Sequence, residues 1–399
     1  MAAAIELPQG FRVAGIACGI KDDSSKRDLA LFVSDGPCTS AGVFTQNKVC
    51  GAPVKVSRQR VPRSTTRAVI INSGNANACT GKRGLDDAHW MTAEVAARIG
   101  CDAEDVLVCS TGVIGHFLPR EPLASGIPAV VDQLASTPHA FAEAAQAMMT
   151  TDTVHKQSCR KAELARKTVR VAGTSKGAAM IGPNMATMLS VIMTDASLAA
   201  DDADRLLRHA VDRSFNCISV EGHTSTSDTV ILLANGAADT GPLDKADLAQ
   251  LQQIIDEVAE DLARAIVKDA EGADHLITID VNGLRTRDEA FRIAKTIAND
   301  ALVKTAITGA DPNWGRIVSC VGRTGVELQE DQIVLRINDT VIFENGSPVA
   351  YDEDAVSQQM RDNREVSIQL EFAFGDSGVR FWTSDLTTEY VRLNSEYTT

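Results

Sequence analysis

The sequence predicts an α/β (α+β) protein, with sheets covered by helices and a smaller α+β unit at the C-terminal end. Three observations lead there. Short apolar runs bounded by turn residues alternate with amphipathic helical periods along most of the chain. Hydrophobic residues make up 44% of the 399, but aromatic residues only 4%. The core must then be built from Val, Ile, Leu and many Ala, which suits helices packed closely on sheets. Over roughly the last 70 residues the pattern changes to short strands joined by Asn-Gly and Gly-Asp turns.

The first segment, 10–75, reads as strands. Leu29–Val33 and Ala68–Asn72 are apolar runs, and Asp35-Gly36-Pro37 is a turn signal. Helical spacing predicts a helix over Asp86–Ile99 and two more across 121–149, the second opened by Thr137-Pro138. Ala165–Ala172 and Ala178–Ile181 flank a Gly/Ser/Lys loop, and Leu189–Thr194 is a strand. A helix is predicted over Asp201–Val211. A long amphipathic one follows over Lys245–Val267, with Leu251, Ile255, Val258, Leu262 and Ile266 at three- and four-residue spacing. Leu276–Val281 alternates as a strand. Asp288–Val303 reads as one helix with acidic residues in its first turn. Gln332–Ile337, Thr340–Phe343 and Val366–Phe374 are the strands of the last unit. No internal repeat, low-complexity tract or linker is visible.

Charge and cysteine usage narrow the function classes. The net charge of −14, without clustered Lys/Arg, argues against a nucleic-acid partner. Nine cysteines form no C-x-x-C pair, which points to reduced thiols in a cytoplasmic protein rather than disulfides or zinc. The N-terminal residues lack a signal-peptide pattern, and no apolar run reaches the roughly 18 residues that a membrane span needs. The seven histidines show no metal-ligand spacing, so no metal and no cofactor is expected.

One threonine is chemically unusual in its setting. Thr187 follows Ala186 in Lys176-Gly-Ala-Ala-Met-Ile-Gly-Pro-Asn-Met-Ala-Thr-Met-Leu189, with small residues before it and a mostly apolar run after it. Its hydroxyl has no base beside it in sequence. If the Ala186–Thr187 bond broke, Thr187 would carry an α-amine of pKa roughly 8 next to its own oxygen, nucleophile and base in one residue. The plain alternative is a β-branched residue that opens a buried strand.

This block belongs to an ordered set: Gly10–Gly15, Asp35–Pro37, Asn72-Ser-Gly-Asn-Ala-Asn-Ala-Cys-Thr-Gly81, Ser110-Thr-Gly-Val-Ile-Gly115, Met149-Thr-Thr-Asp-Thr153, Gly222-His-Thr-Ser-Thr-Ser-Asp228, Lys268–Ala273, Asp311-Pro-Asn-Trp-Gly-Arg316 and the terminal Asn394 and Thr399. The set resembles the ornithine acetyltransferase (glutamate N-acetyltransferase) family of arginine biosynthesis across nearly the whole chain. The resemblance implies a layered sandwich with helices outside paired sheets. It implies self-cleavage at Ala186–Thr187 into an α chain, 1–186, and a β chain, 187–399. Within the β chain, 187–280 would complete the core and about 281–399 would form the C-terminal unit.

The implied activity is transfer of acetyl from N-acetyl-L-ornithine to L-glutamate through an acetyl-Thr187 ester. Some members also use acetyl-CoA as a co-substrate. The implied assembly is α2β2. Thr111 and Gly112 take the place of the oxyanion hole; read alone, Ser110-Thr111-Gly112 is a turn after the strand Val106–Cys109. Thr153, Lys176, Thr187, Glu271, Asn394 and Thr399 take the place of substrate contacts. The chemistry suits them: Lys176 would take an α-carboxylate and Glu271 an ornithine ammonium. Read alone, Glu271 is a solvated turn residue, and Asn394 and Thr399 are frayed tail.

Glu221, His223 and Ser227 depart from the Asp, Asp and Asn of the pattern in many members. His223, Ser225 and Asp228 as a local hydrolase triad is the alternative reading of this stretch, although triads are assembled in space rather than locally. The Asn72–Gly81 stretch fails the phosphate-loop template, since Gly74 and Gly81 are 81 − 74 = 7 apart. Asp311–Arg316 serves either loop packing or the site. Two rival functions share parts of this pattern: an N-terminal-nucleophile aminopeptidase or amidohydrolase, and an uncleaved, non-catalytic binding relative.

Overall fold

A computed structural model describes residues 5–182 and 188–396. Ala186, Thr187 and Thr399 lie outside the described residues. The strands of the first half are β1 (Phe11–Ile16), β2 (Leu29–Phe44), β3 (Arg63–Asn75), β4 (Val106–Val113), β5 (Lys156–Leu164), β6 (Lys167–Lys176), β7 (Leu189–Thr194), β8 (Ile218–Ser219) and β9 (Thr229–Ala234). One sheet runs β4-β3-β2-β9-β7-β6-β5, with β1 paired to β2. The β3–β4 and β7–β9 pairs are parallel, and the others antiparallel. The later strands are β10 (Leu276–Leu284), β11 (Val334–Ile337), β12 (Thr340–Glu344), β13 (Ser347–Pro348), β14 (Glu365–Glu371) and β15 (Ser377–Ser384). They form a second sheet, β13-β12-β11-β14-β10-β15-β8.

The helices are α1 (Ala52–Arg60), α2 (Gly81–Ile99), α3 (Arg120–Asp132), α4 (Pro138–Met148), α5 (Ala200–Arg213), α6 (Lys245–Lys268), α7 (Arg287–Ala298), α8 (Ala301–Thr308), α9 (Trp314–Gly322), α10 (Glu353–Asp362) and α11 (Thr388–Glu396). Helices α1–α3 pack with β1–β4 around Ile70, Met91, Val108 and Ile127. Helix α4 covers the apolar side chains of Phe32, Ile71, Val191 and Ile231. Helices α5 and α6 lie between the two sheets, against β5, β6 and β9 on one side and β8 and β15 on the other. Helix α6 buries the stripe read from the sequence, with Leu251, Ile255, Val258, Leu262 and Ile266 all at 0% exposure. Each such side chain contributes about 1.5–3 kcal/mol on burial. Its start is fixed by Asp244, whose carboxylate accepts from the Ala246 and Asp247 amides. Helix α7 packs across β10 and β15 on the second sheet.

The fold corrects five local expectations. The segment 10–75 is not strands throughout, since Ala52–Arg60 form α1, opened by Pro53 in its first turn. Asp35-Gly36-Pro37 sits inside β2, where the register with β3 shifts between Val33 and Cys38, so the irregularity absorbs the proline. Residues 173–176 belong to β6, held between β5 and β7, and are not a loop. Ser110-Thr111-Gly112 is not a turn: β4 runs through Val113, because β3 pairs with it to the end. The helix expected over Asp288–Val303 is broken at Asn299-Asp300, where the Asp300 carboxylate accepts from the Val303 amide and opens α8.

Candidate active site

Strands β4 and β6 and helix α11 reach one cavity of about 220 Å³. Thr111, Gly112, Lys176, Glu271 and Asn394 all line it, brought from distant parts of the chain.

The β3–β4 crossing builds one wall. Gly74 and Gly112 face each other across the parallel pair, with φ of +104° and +131°. A Cβ on Gly112 would lie 2.3 Å from the Gly74 carbonyl carbon. Only glycine permits that approach and that φ. The crossing is braced by Ser110 Oγ donating to Asn72 Oδ1 at 2.5 Å and Asn72 Nδ2 donating to Asn75 O at 2.9 Å. The Asn72–Gly81 stretch is thus a strand end and brace. Gly112→Ala is expected to force β3 and β4 apart, lowering both the unfolding midpoint and turnover. Thermal unfolding and initial rates measured together check this.

Lys176 closes β6 beneath that wall. It is 2% exposed, and its Nζ donates to Thr111 Oγ1 at 3.3 Å. Burial lowers its pKa, against the opposing pull of Asp152, Asp228 and Glu271. The next residue, Gly177, donates its amide to Asp152 Oδ1 at 2.6 Å. Asp152 also accepts from Lys156 Nζ at 2.7 Å, and Lys156 Nζ donates to Asp269 Oδ2 at 2.6 Å. All three side chains are nearly inaccessible. Burial alone would raise the Asp152 carboxyl, but the Lys176 and Lys156 ammonium groups hold it down to about 2.

Glu271 follows α6, with its amide donating to Ala178 O at 3.0 Å. Its Oε2 accepts from Asn394 Nδ2 at 3.1 Å. Asn394 is therefore part of α11 and not a frayed tail. Thr153 is the exception among the described site residues. It is exposed, gives its hydroxyl to Asp269, and does not line this cavity.

Asp228, Glu221, His223, Ser225 and Lys304 stand at or near this site. Glu221, His223, Ser225 and Ser227 line the cavity, so the departures from the expected pattern lie at the site itself. Both Glu221 carboxylate oxygens are buried, close to the backbone amides of Ile181, His223 and Met180. Burial pushes Glu221 up to about 7. Behind it, Lys304 donates to Val220 O and, at 3.2 Å, to Thr383 Oγ1. Burial brings Lys304 down to about 8. Asp311–Arg316 serves packing, since Asn313 caps α9 and Trp314 stacks on Phe343 at 5.3 Å.

The chain on both sides of residues 183–187 meets this wall. Ile181 O accepts from the amides of Val220 and Gly222 at 2.8 and 3.1 Å. Met188 donates its amide to Asp228 Oδ1 at 3.1 Å, and Leu189 pairs with Lys176. All nine cysteines are free, and no helix among the described residues is long and apolar enough to cross a membrane.

The sequence matches the ArgJ family over residues 12–399. The arginine biosynthesis bifunctional protein ArgJ of Rhodopirellula baltica is 44% identical, over 98% of this chain and 96% of its own. Its namesake in Bacillus subtilis is 38% identical, over 99% and 96%. Among solved structures, ArgJ of Bacillus halodurans is 41% identical with a TM-score of 0.43, covering 46% of this chain and 97% of its own. Ornithine acetyltransferase of Mycobacterium tuberculosis, complexed with ornithine, is 41% identical with a TM-score of 0.41, covering 45% and 96%. With a family match and near-full-length relatives of this identity, the chain belongs to the ArgJ family.

Proposed function

We propose that the chain is a glutamate N-acetyltransferase of arginine biosynthesis, moving acetyl from N-acetyl-L-ornithine to L-glutamate through an acetyl-Thr187 ester. The observation that carries this reading is the convergence of Thr111, Gly112, Lys176, Glu271 and Asn394 on one cavity, next to the strand that follows Thr187. Self-cleavage at Ala186–Thr187 divides the chain into 1–186 and 187–399 and frees the Thr187 amine. That amine takes the Oγ proton as Oγ attacks the acetyl carbonyl. Thr111 and Gly112 donate to the developing oxyanion, an effect worth about 3 kcal/mol per donor. The C–N bond breaks, the proton passes to the leaving nitrogen, and ornithine departs. The glutamate amine then attacks the ester carbonyl, its proton passes through the Thr187 amine to Oγ as the C–Oγ bond breaks, and N-acetyl-L-glutamate departs.

In the Michaelis complex Lys176 takes the substrate α-carboxylate and Glu271 the side-chain ammonium, with Asn394 orienting Glu271. Thr153, outside the cavity, would act through the Asp269–Lys156–Asp152 network rather than by direct contact. Thr399 is retained as a substrate contact from the resemblance. Acetyl-CoA is a second acyl donor in this reading, which the bifunctional names of the relatives support. No cofactor takes part. The cleaved chains assemble as α2β2 in the cytoplasm, without nucleic-acid or membrane partners.

Glu271→Gln tests the substrate assignment. It removes a charge-assisted contact worth about 1.5–3 kcal/mol. The expected result is a KM for N-acetylornithine raised roughly 10- to 100-fold, with the thermal midpoint little changed. Steady-state kinetics with an unaltered KM would remove Glu271 from ammonium binding. Release of ornithine that does not depend on glutamate would favour the hydrolase instead.

A further inference from the structure

The connection between α6 and β10, residues 269–275, carries Glu271, and the segment 385–394 is tied to it at three places. At the cavity end Asn394 Nδ2 donates to Glu271 Oε2 at 3.1 Å. In the middle Thr387 Oγ1 donates to Gly272 O, and the Tyr390 amide donates to Thr387 Oγ1 at 3.2 Å. The backbones touch there: Gly272 has φ +65°, and a Cβ on it would lie 2.5 Å from the Tyr390 nitrogen. At the far end Asp385 Oδ1 accepts the Asp274 and His275 amides at 3.0 and 3.1 Å. Asp385 is buried, and its Oδ2 faces His275 Nδ1 at 2.8 Å. The other ring nitrogen, Nε2, lies 3.0 Å from Met360 O near the C-terminal end of α10.

Both neighbours of the ring are acceptors. A neutral imidazole has one N–H and satisfies one of them, whereas the imidazolium donates to both. We infer that His275, acting through Asp385, is a positioning residue for Glu271. The imidazolium ties Asp385 to α10, Asp385 holds the 274–275 amides, and the anchored connection presents Glu271 to Asn394 and to the substrate ammonium. The inference rests on Glu271 taking that ammonium. The Asp385 hydrogen bond raises the His275 pKa, with burial opposing it and Asp274 adding to the rise. The other charges around the pair are Lys304 on α8, which interacts with Asp385, and Arg361 and Arg364, which line a cavity with His275. The pair is therefore complete below about 6.5, the ordinary histidine value. One of the two ring contacts is lost as pH rises through the higher value of the folded protein.

The test is KM and kcat for N-acetylornithine at saturating L-glutamate, from about pH 6 to about pH 9, in His275→Gln and the unmodified protein. Glutamine reaches one of the two acceptors and carries no charge. The ratio of the two KM values cancels the titration of groups that both proteins share, Glu221 and Lys176 among them. The expected ratio is about 10 at about pH 6 and falls to about 2 at about pH 9, with kcat within about threefold throughout. A ratio that does not change with pH overturns the inference, because a structural defect alone weakens binding at every pH. If His275→Gln does not fold, Asp385→Asn decides. Its side-chain oxygen keeps the two backbone amides, and its NH2 donates to Nδ1 of a neutral ring whose Nε2–H still reaches Met360 O. The ratio of its KM to that of the unmodified protein is expected to fall about fivefold over the same range, and a flat ratio contradicts the charged pair. Glu271→Gln separates the two levels. If it leaves KM unaltered, the ammonium assignment fails and the role of His275 falls with it. If it raises KM and the His275→Gln ratio is flat, only the role of His275 fails.

Discussion

Thr187→Ala is expected to yield one uncut chain of 399 residues with no measurable acetyl transfer. The substitution removes the nucleophile of both reactions, the attack on the Ala186 carbonyl and the attack on the substrate acetyl group. It also leaves residue 187 without a free amine, so the base is lost with the nucleophile. Residues that act as a unit in covalent catalysis lose roughly 10⁴- to 10⁶-fold when one is removed. The fold should survive. β7 starts at Leu189 and is held on both sides, by β6 and by β9. An intact mass with retained thermal stability and absent turnover is the expected set. A cleaved product would take Thr187 out of its role.

The second large effect is on stability. Asp152→Asn is expected to destabilise the protein by about 3–5 kcal/mol, the cost of breaking a buried ion pair from one side. Lys156, with a side chain 1% exposed, would keep only Asp269 as its ion-pair partner. Lys176, 2% exposed, would lose the carboxylate that most favours its charge. The pH dependence follows from the same pairing. The Asp152 carboxyl is depressed to about 2 in the folded chain, below the ordinary value of about 3.9 for an unfolded aspartate. Its contribution is therefore complete above about pH 4 and is lost as pH falls through about 2. Urea midpoints measured from about pH 7 down to about pH 3 should show the gap between Asp152→Asn and the unmodified chain narrowing at the acid end. A constant gap across that range would contradict the pairing.

Much of the architecture was legible in the residues. The α6 stripe, the alternation of β10 and the Thr137 cap at α4 follow from local spacing and from hydrogen bonds made within one turn. The misread segments share one cause. Ser110-Thr111-Gly112 and residues 173–176 look like loops because Gly, Ser and Thr favour loops locally, yet both are strands because their pairing partners are remote in sequence. Asp288–Val303 failed the other way, since Asp300 prefers to cap a new helix rather than continue an old one.

The site divides similarly. Lys176, Glu271 and Asn394 were named from the family pattern, and only the tertiary structure brings them to one cavity. Thr153 was named from the same pattern, whereas its neighbour Asp152 is the buried member of the ion network. Asp228 and Glu221 were read as motif residues without an environment. What makes them distinctive is the burial of their carboxyl oxygens, which no local sequence encodes. The departures at Glu221, His223 and Ser227 likewise acquire meaning only from their place on the cavity wall.

The most direct test of the acetyl-enzyme is an intact mass spectrum of the purified protein after brief incubation with N-acetyl-L-ornithine. The account predicts two fragments, 1–186 and 187–399, with the second heavier by one acetyl group. Two fragments with no adduct on the second, or an acetyl group carried by 1–186, would contradict it.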